Sequence, residues 1–123
     1  MLKTDLDQLK TDPHAQERCT GLMLPVKDAL EVLHGRWKLP IIVSLTFGPK
    51  RFKEIVKEVG ITDKVLAKEL RDMEAHRLVT RTEISTFPLT VEYAITPHGC
   101  SLHGLIGALA EWGITHRKKI LEQ

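Results

Sequence analysis

The chain has 123 residues, of which 42% are hydrophobic and 28% charged, and it carries a net charge of +2. This length suits one domain that folds without stabilising disulfides or metal ions. Two cysteines are too few for a disulfide framework. The apolar runs are too short to span a membrane and the first residues lack a signal-peptide core, so we expect a cytoplasmic protein with no membrane partner.

The positive charge is concentrated in the middle of the chain. Residues 36–81 hold eleven Lys or Arg against six Asp or Glu, a balance of +5, whereas residues 1–35 have a balance of −2 and residues 82–123 of −1. A local excess of this kind indicates a nucleic-acid surface more reliably than the net charge does.

Two helices are predicted before this basic segment. The leucines of the first ten residues share one face of an amphipathic helix, which Pro13 would end. After a loop containing Gly21, Pro25 is suited to the first position of a second helix, which Gly35 would stop.

A buried helix is predicted within the segment WKLPIIVSLTFG. Trp37, Ile41 and Leu45 recur at a spacing of four residues and therefore share one face. Pro40 is compatible with this helix only in its first turn. We interpret Trp37 as a core anchor rather than a ligand contact, because it leads the apolar face.

Two short amphipathic helices joined by a tight turn follow. The apolar residues of RFKEIVKEV recur at i, i+3, i+4 and i+7, and Gly60 ends the pattern. Thr62 is placed to cap a second helix that has Asp63 in its first turn and Leu66, Leu70 and Met73 on its apolar face. The residues left on the outward stripe of that helix are Lys64, Ala67, Lys68 and Arg71.

This pair of helices has the helix-turn-helix pattern, in which the second helix enters the major groove of DNA. The alternative is a helical hairpin whose charged face is simply solvated. The following segments, LVTRTEIS and TVEYAIT, alternate and are rich in β-branched residues, so they predict a β-hairpin around the turn Thr86–Leu89. Such a hairpin would be the wing of a winged helix, with Arg81 at its base, or else an ordinary cover for the core.

A last long helix is predicted to begin at Thr96 and Pro97. Its apolar stripe is longer than a small core needs, and Gly104, Gly107 and Gly113 suggest the close approach of another backbone. We interpret it as a dimerisation helix, although it could instead fold back onto its own domain. The residues of the stripe are Leu102, Leu105, Ile106, Leu109 and Trp112, followed by His116.

Several of these segments together resemble the HxlR-type transcriptional regulators. The motifs are GRWK at 35–38, RFKEI at 51–55, the ITDKVLAKELRDME helix, LVTR at 78–81 and VEYAITPHGCSL at 91–102, and the resemblance runs from Leu24 to His116. It implies a bacterial homodimer that binds double-stranded DNA, with a mainly α-helical winged helix-turn-helix fold, a small β-hairpin and terminal dimerisation helices. The recognition helix would span about 62–77 and the wing about 78–96.

The implied layout is an N-terminal helix and arm at 1–24, a DNA-binding domain at 25–96 and a dimerisation helix at 97–123. Some members of the family sense oxidants through a cysteine directly before the proline that is Pro25 here, but Leu24 stands at that place and cannot form a thiolate. Cys19, beside Arg18, stays a candidate redox site because a neighbouring cation activates a thiol, and Cys100 is expected to face the interior.

These observations predict a dimeric regulator that reads a palindromic operator, with a small-molecule effector as an open question. The alternative is an interaction module that uses the same face, since Glu69, Asp72 and Glu74 make the recognition helix partly acidic. The histidines lack metal-binding spacing and no phosphate loop or nucleophile motif occurs, so we predict no catalysis, no metal and no cofactor. The expected DNA contacts are Lys50, Arg51, Lys53, Thr62, Asp63, Lys64, Ala67, Lys68, Arg71 and Arg81.

Overall fold

The computed structural model describes residues 14–85 and 87–122, which form a mainly helical chain with a small antiparallel sheet, as predicted. The chain divides into two units between His34 and Gly35. The helix predicted in the first ten residues lies outside the described part. The elements in order are α1 (Ala15–Leu33), α2 (Lys38–Leu45), β1 (Lys50–Arg51), α3 (Phe52–Val59), α4 (Asp63–Ala75), β2 (Val79–Ile84), β3 (Thr90–Ile95), α5 (Pro97–Cys100) and α6 (His103–Leu121).

Helix α1 begins ten residues earlier than predicted. The expected loop at Gly21 and helix start at Pro25 are wrong, since one helix passes through both residues. Pro25 has no N–H to donate to the carbonyl of Gly21, four residues before it, and glycine adapts most easily to a displaced carbonyl. None of its described residues is buried within this unit, and the predicted domain boundary between residues 24 and 25 falls inside the helix.

The core of the second unit is built from helices α2, α3 and α4. Pro40 lies in the first turn of α2, as its missing N–H requires. Trp37 is only half-buried at the start of this helix, and the Arg36 guanidinium lies 4.6 Å from the centre of its ring. The fully buried apolar side chains are Ile41, Ile42, Leu45, Ile55, Leu66, Leu70 and Met73, with Leu78 and Val79 nearly so.

The sheet contains a strand that the sequence did not indicate. Strands β2 and β3 form the predicted hairpin, with Val79 opposite Ile95 and Arg81 opposite Tyr93. The two-residue strand β1 pairs with the other edge of β3, placing Lys50 opposite Tyr93, so the strand order is β1-β3-β2. Two residues are too few to show an alternating pattern, which explains why β1 was missed.

The predicted C-terminal helix is two helices instead of one. Thr96 caps α5 by accepting a hydrogen bond from the Gly99 N–H at 2.9 Å, and Pro97 occupies the first turn, as expected. The Ser101 hydroxyl then donates to the His98 carbonyl, and the Leu102 N–H donates to the Gly99 carbonyl at 3.1 Å, three residues back rather than four. These local bonds compete with the α-helical pattern and separate α5 from α6.

Within one protomer, close backbone approach occurs at Gly99, and the approach of a second backbone at Gly104, Gly107 and Gly113 stays a prediction. A Cβ on Gly104, Gly107 or Gly113 would meet no described atom within 4 Å, whereas a Cβ on Gly99 would lie 2.4 Å from the Leu78 carbonyl oxygen. Gly99 therefore lets α5 pack directly on the segment that leads into the wing.

Candidate nucleic-acid interface

The turn between α3 and α4 has the geometry that its sequence predicts. Gly60 adopts a left-handed φ of 75° at the end of α3, and its N–H donates to the Val56 carbonyl at 3.0 Å. The Thr62 hydroxyl then accepts from the Val65 N–H at 3.3 Å, which caps α4. Asp63 follows in the first turn of α4, where its carboxylate is stabilised by the positive end of the helix dipole.

Helix α4 presents an outward cationic stripe, by which we mean Lys64, Lys68 and Arg71. All three side chains are exposed, and none forms an ion pair with any residue in 14–85 or 87–122. Ala67 lies between them and is half-buried, and its short side chain does not project from the helix surface. The stripe can therefore approach a polyanion closely with all of its charge available.

Two of the acidic residues of α4 point away from the cationic stripe and toward α2. Glu69 is buried and accepts a hydrogen bond from the Nζ of Lys38 at 2.6 Å, and Asp72 Oδ2 lies 3.0 Å from the same nitrogen. His76 Nδ1 lies 3.8 Å from the other Asp72 oxygen. Of the three acidic residues that kept the interaction-module alternative open, only Glu74 is fully exposed.

Lys38 is the residue beneath this surface that sequence reasoning missed. It is 1% exposed although it carries a charge, and burial is the largest single influence, acting to lower its pKa. Hydrogen bonds and charge attraction from Glu69 and Asp72 together outweigh burial and raise the pKa above 10.5. The signal was available, because Lys38 precedes Ile41, Ile42 and Leu45 at i+3, i+4 and i+7 and so belongs to the buried face of α2.

Three of the other predicted DNA contacts are held in surface ion pairs. Lys53 Nζ lies 2.5 Å from Asp63 Oδ2, which joins α3 to the start of α4. Lys50 Nζ lies 2.6 Å from Glu58 Oε2, and this hydrogen bond, followed by a contribution from Ser44, lowers the pKa of the Glu58 carboxyl. Exposed pairs of this kind are weak and can exchange for a phosphate.

The wing carries Arg81, one of the two remaining predicted cations. Arg81 Nη1 lies 3.1 Å from Glu83 Oε1 on the same strand, and that hydrogen bond raises the pKa of the guanidinium. At the tip, Phe87 and Leu89 are exposed, and Thr86 of the predicted turn lies outside the described residues. Arg51, at the opposite edge of the sheet, is exposed, and its backbone N–H donates to Glu54 Oε1 at 2.8 Å.

The predicted dimerisation stripe is largely uncovered within one protomer. Leu102 and Ile106 are half-buried, whereas Leu105, Leu109 and Trp112 are 42%, 47% and 66% exposed. The Trp112 ring stacks on that of His116, with centroids 4.9 Å apart. The distal part of α6 therefore does not fold back onto its own domain.

The described residues contain no group of three or more His, Cys, Asp or Glu arranged to hold a metal. Among the same residues, no helix has both the length and the apolar character needed to cross a membrane. Cys19 and Cys100 are exposed free thiols, so the expectation that Cys100 faces the interior is wrong, and a redox role for Cys19 stays a prediction.

The chain matches a known protein family over most of its length. The sequence model described as HxlR-like helix-turn-helix matches residues 32–120. The HTH-type transcriptional regulator YtcD of Bacillus subtilis (strain 168) is 36% identical over 98 residues, which cover 79% of this chain and 78% of that protein.

Solved structures give the same result for the fold. A MarR-family transcriptional regulator from Enterococcus faecalis V583 is 35% identical, with a TM-score of 0.69 over 82% of this chain and 93% of that one. The redox regulator HypR in its reduced form is 32% identical, with a TM-score of 0.73 over 80% of this chain and 99% of that one. These relatives are transcriptional regulators and not enzymes.

Proposed function

The chain belongs to the HxlR-like helix-turn-helix family of DNA-binding transcriptional regulators, and we propose that it acts as a homodimer that reads an inverted-repeat operator. Helix α4 would be the recognition helix and the hairpin of β2 and β3 the wing. The proposal depends above all on one observation: α4 turns its cations outward while Glu69 and Asp72 meet Lys38 inside.

The electrostatic consequence supports DNA as the partner. A helix with alternating acidic and basic side chains would present little net charge, but here Glu69 and Asp72 turn toward Lys38, which offsets one of their two charges. The outward face then keeps Lys64, Lys68 and Arg71 for phosphates and base edges, and Arg is the side chain best suited to guanine in the major groove.

The dimer is supported by the apolar surface of α6. Large apolar side chains of α6 stay exposed in a single protomer, namely Leu105, Leu109 and Trp112. Pairing of two such helices would cover them. A two-fold dimer would set two copies of α4 on successive major grooves, about 34 Å apart. The operator would then be an inverted repeat with half-sites about one helical turn apart.

Selection of bound sequences from a random duplex pool tests this function directly. We expect enrichment of an inverted repeat whose half-site centres are separated by about 10 base pairs. A matched variant with Lys64, Lys68 and Arg71 all changed to alanine should fold, because these side chains are exposed, and should enrich nothing. Selection of a single half-site would contradict the dimeric arrangement, and no enrichment by the native protein would contradict sequence-specific binding.

A further inference from the structure

The tip of the wing is apolar, unlike the cationic stripe of α4. Phe87 and Leu89 lie in the turn between β2 and β3, where Phe87 is fully exposed and Leu89 is 59% exposed. Turns favour Gly, Pro and small polar residues, so two large exposed apolar side chains at this place are unusual. Residues 82–96 contain no Lys or Arg, so the wing carries no cation beyond Arg81. The tip therefore cannot bind phosphates by charge, and it offers a partner one aromatic and one aliphatic side chain.

The contacts of the hairpin show toward which end of α4 its tip points. At the C-terminal end of α4, the Leu78 N–H donates to a carbonyl of the last turns at 2.9 Å, and β2 begins at the next residue. Nearer the tip, Arg51 lies opposite Glu92 of β3, and α3 begins directly after Arg51. From α3, the Nζ of Lys53 lies 2.5 Å from Asp63 in the first turn of α4. The hairpin therefore runs from the C-terminal end of α4 back toward its N-terminal end.

The lengths of the two elements bring the tip level with the first turn of α4. Helix α4 has thirteen residues and β2 has six, so each is about 20 Å long. Phe87 and Leu89 therefore lie at the end of α4 that would lead into the major groove, where Lys64 is the first residue of the cationic stripe. A tip that lies beside the leading end of a recognition helix meets the minor groove next to that major groove.

An apolar side chain binds DNA by a different mechanism from a cation. Proteins that contact the minor groove insert Phe, Leu or Ile between base steps, which unstacks the step and bends the duplex toward the major groove. Unstacking costs least at flexible pyrimidine–purine steps, so the insertion discriminates between sequences without a hydrogen bond to a base. The carboxylate of Glu83, on the strand that leads to the tip, is held by Arg81 at 3.1 Å, which limits its repulsion of phosphates.

We propose that Phe87 inserts between two base pairs in the minor groove that flanks each half-site, with Leu89 against the sugar beside it. The inserted ring unstacks the step and bends the duplex, so the wing selects a flexible step outside the bases that α4 reads. The tip is continuous with the DNA-facing end of α4, which favours DNA over a protein as the occupant. This inference rests on the proposed function, because it requires α4 to lie in the neighbouring major groove.

Selection from the random duplex pool separates the contribution of the wing from that of the helix. The native protein should enrich a TA or CA/TG step at a fixed distance outside each half of the inverted repeat. Phe87→Ala should enrich the same inverted repeat without this step, and it should fold because the ring is fully exposed. Phe87→Leu should keep the preference, since leucine also acts as a wedge.

The bend of the selected operator is a second measurement, made by energy transfer between dyes at the two ends of the duplex. The native protein should bend the operator by at least about 20°. Phe87→Ala should remove most of the bend and weaken binding roughly fivefold or more, the effect of losing one stack between a base and an aromatic ring. Phe47→Ala is the matched control, because Phe47 is 98% exposed but lies after α2, outside the wing, and this variant should bend the operator as the native protein does.

The proposed insertion is overturned if the native protein enriches no flanking step, if Phe87→Ala keeps both the step and the bend, or if Phe47→Ala loses them equally. In each of these results the inverted repeat is still enriched, so the proposed function stands. A native protein that enriches no sequence at all would overturn both.

Discussion

Lys38 and Glu69 form a buried ion pair that joins α2 to the recognition helix, with Nζ 2.6 Å from Oε1. The lysine is 1% exposed and the glutamate side chain 11%, so neither charge is well solvated. Asp72, at 3.0 Å from Nζ, adds a second carboxylate from the next turn of the same helix. One lysine therefore positions α4, offsets one of the two negative charges that face it, and holds both carboxylates away from the outward cationic stripe.

Replacing Lys38 with methionine should destabilise the protein by about 3–5 kcal/mol, because Glu69 would be left buried without its partner. The double variant Lys38→Met/Glu69→Leu should recover most of this loss, since apolar side chains of similar volume can replace a buried pair. Urea unfolding of the native chain, both single variants and the double variant gives the coupling free energy. Additive losses in the double variant would show that the two residues act separately.

The same ion pair predicts a loss of stability at alkaline pH. The folded-state pKa of Lys38 is raised above 10.5, so its stabilising effect is complete below that value and is lost as the pH rises through the folded-state pKa. Unfolding free energies measured between pH 8 and about 12 should fall more steeply for the native chain than for Lys38→Met/Glu69→Leu. Parallel curves would show that Lys38 is not held in its charged form by the fold.

Arg77 adopts a left-handed φ of 61° where the chain leaves α4. The Leu78 N–H donates to the Met73 carbonyl at 2.9 Å and the Arg77 N–H to the Glu74 carbonyl at 3.0 Å, an arrangement in which glycine is preferred at this position. Arg77→Gly should therefore stabilise the fold by about 1 kcal/mol. Arg77→Ala is the control, because it removes the same charge but keeps the backbone cost, and it should not stabilise. Equal gains in thermal unfolding would attribute the effect to charge.

The turn and packing of the helix-turn-helix could be predicted because their signals are local. Gly60 and Thr62 dictate backbone geometry at single positions, and the apolar spacing of α3 and α4 fixes which faces are buried. The spacing also places Lys38 on the buried face of α2, but a lysine there has no explanation until its carboxylate partners, 31 and 34 residues later, are known to be adjacent. The break between α5 and α6 depends on the hydrogen bond that the Ser101 hydroxyl donates to the His98 carbonyl. The apolar spacing of this segment also fits one continuous helix, so the spacing does not reveal the break.

Arg71 provides a test of base recognition by the cationic stripe. Arg71→Ala should cost roughly 1–3 kcal/mol on the selected operator and less on random duplex, so specificity should relax. Lys53→Ala is the comparison, because a phosphate contact should weaken all sequences alike and reduce the slope of log affinity against log salt by about 1. Fluorescence anisotropy on both duplexes at several salt concentrations separates the two. The same loss on operator and random DNA for Arg71→Ala would remove it from the base-reading set.

The proposed dimer makes a prediction about α6 that is independent of DNA. Leu109 is 47% exposed in one protomer, so Leu109→Glu should leave the folded protomer intact. If α6 pairs with its copy, the new carboxylate would be buried in an apolar interface, and light scattering should show a monomer at micromolar concentration. Ile114→Glu, five residues later and on the opposite face of the helix, is the control for added charge and should remain a dimer. Because each protomer contributes one recognition helix, the monomer should lose most of its affinity for the inverted repeat while binding an isolated half-site as before. A Leu109→Glu protein that stays dimeric would place the contact between protomers elsewhere.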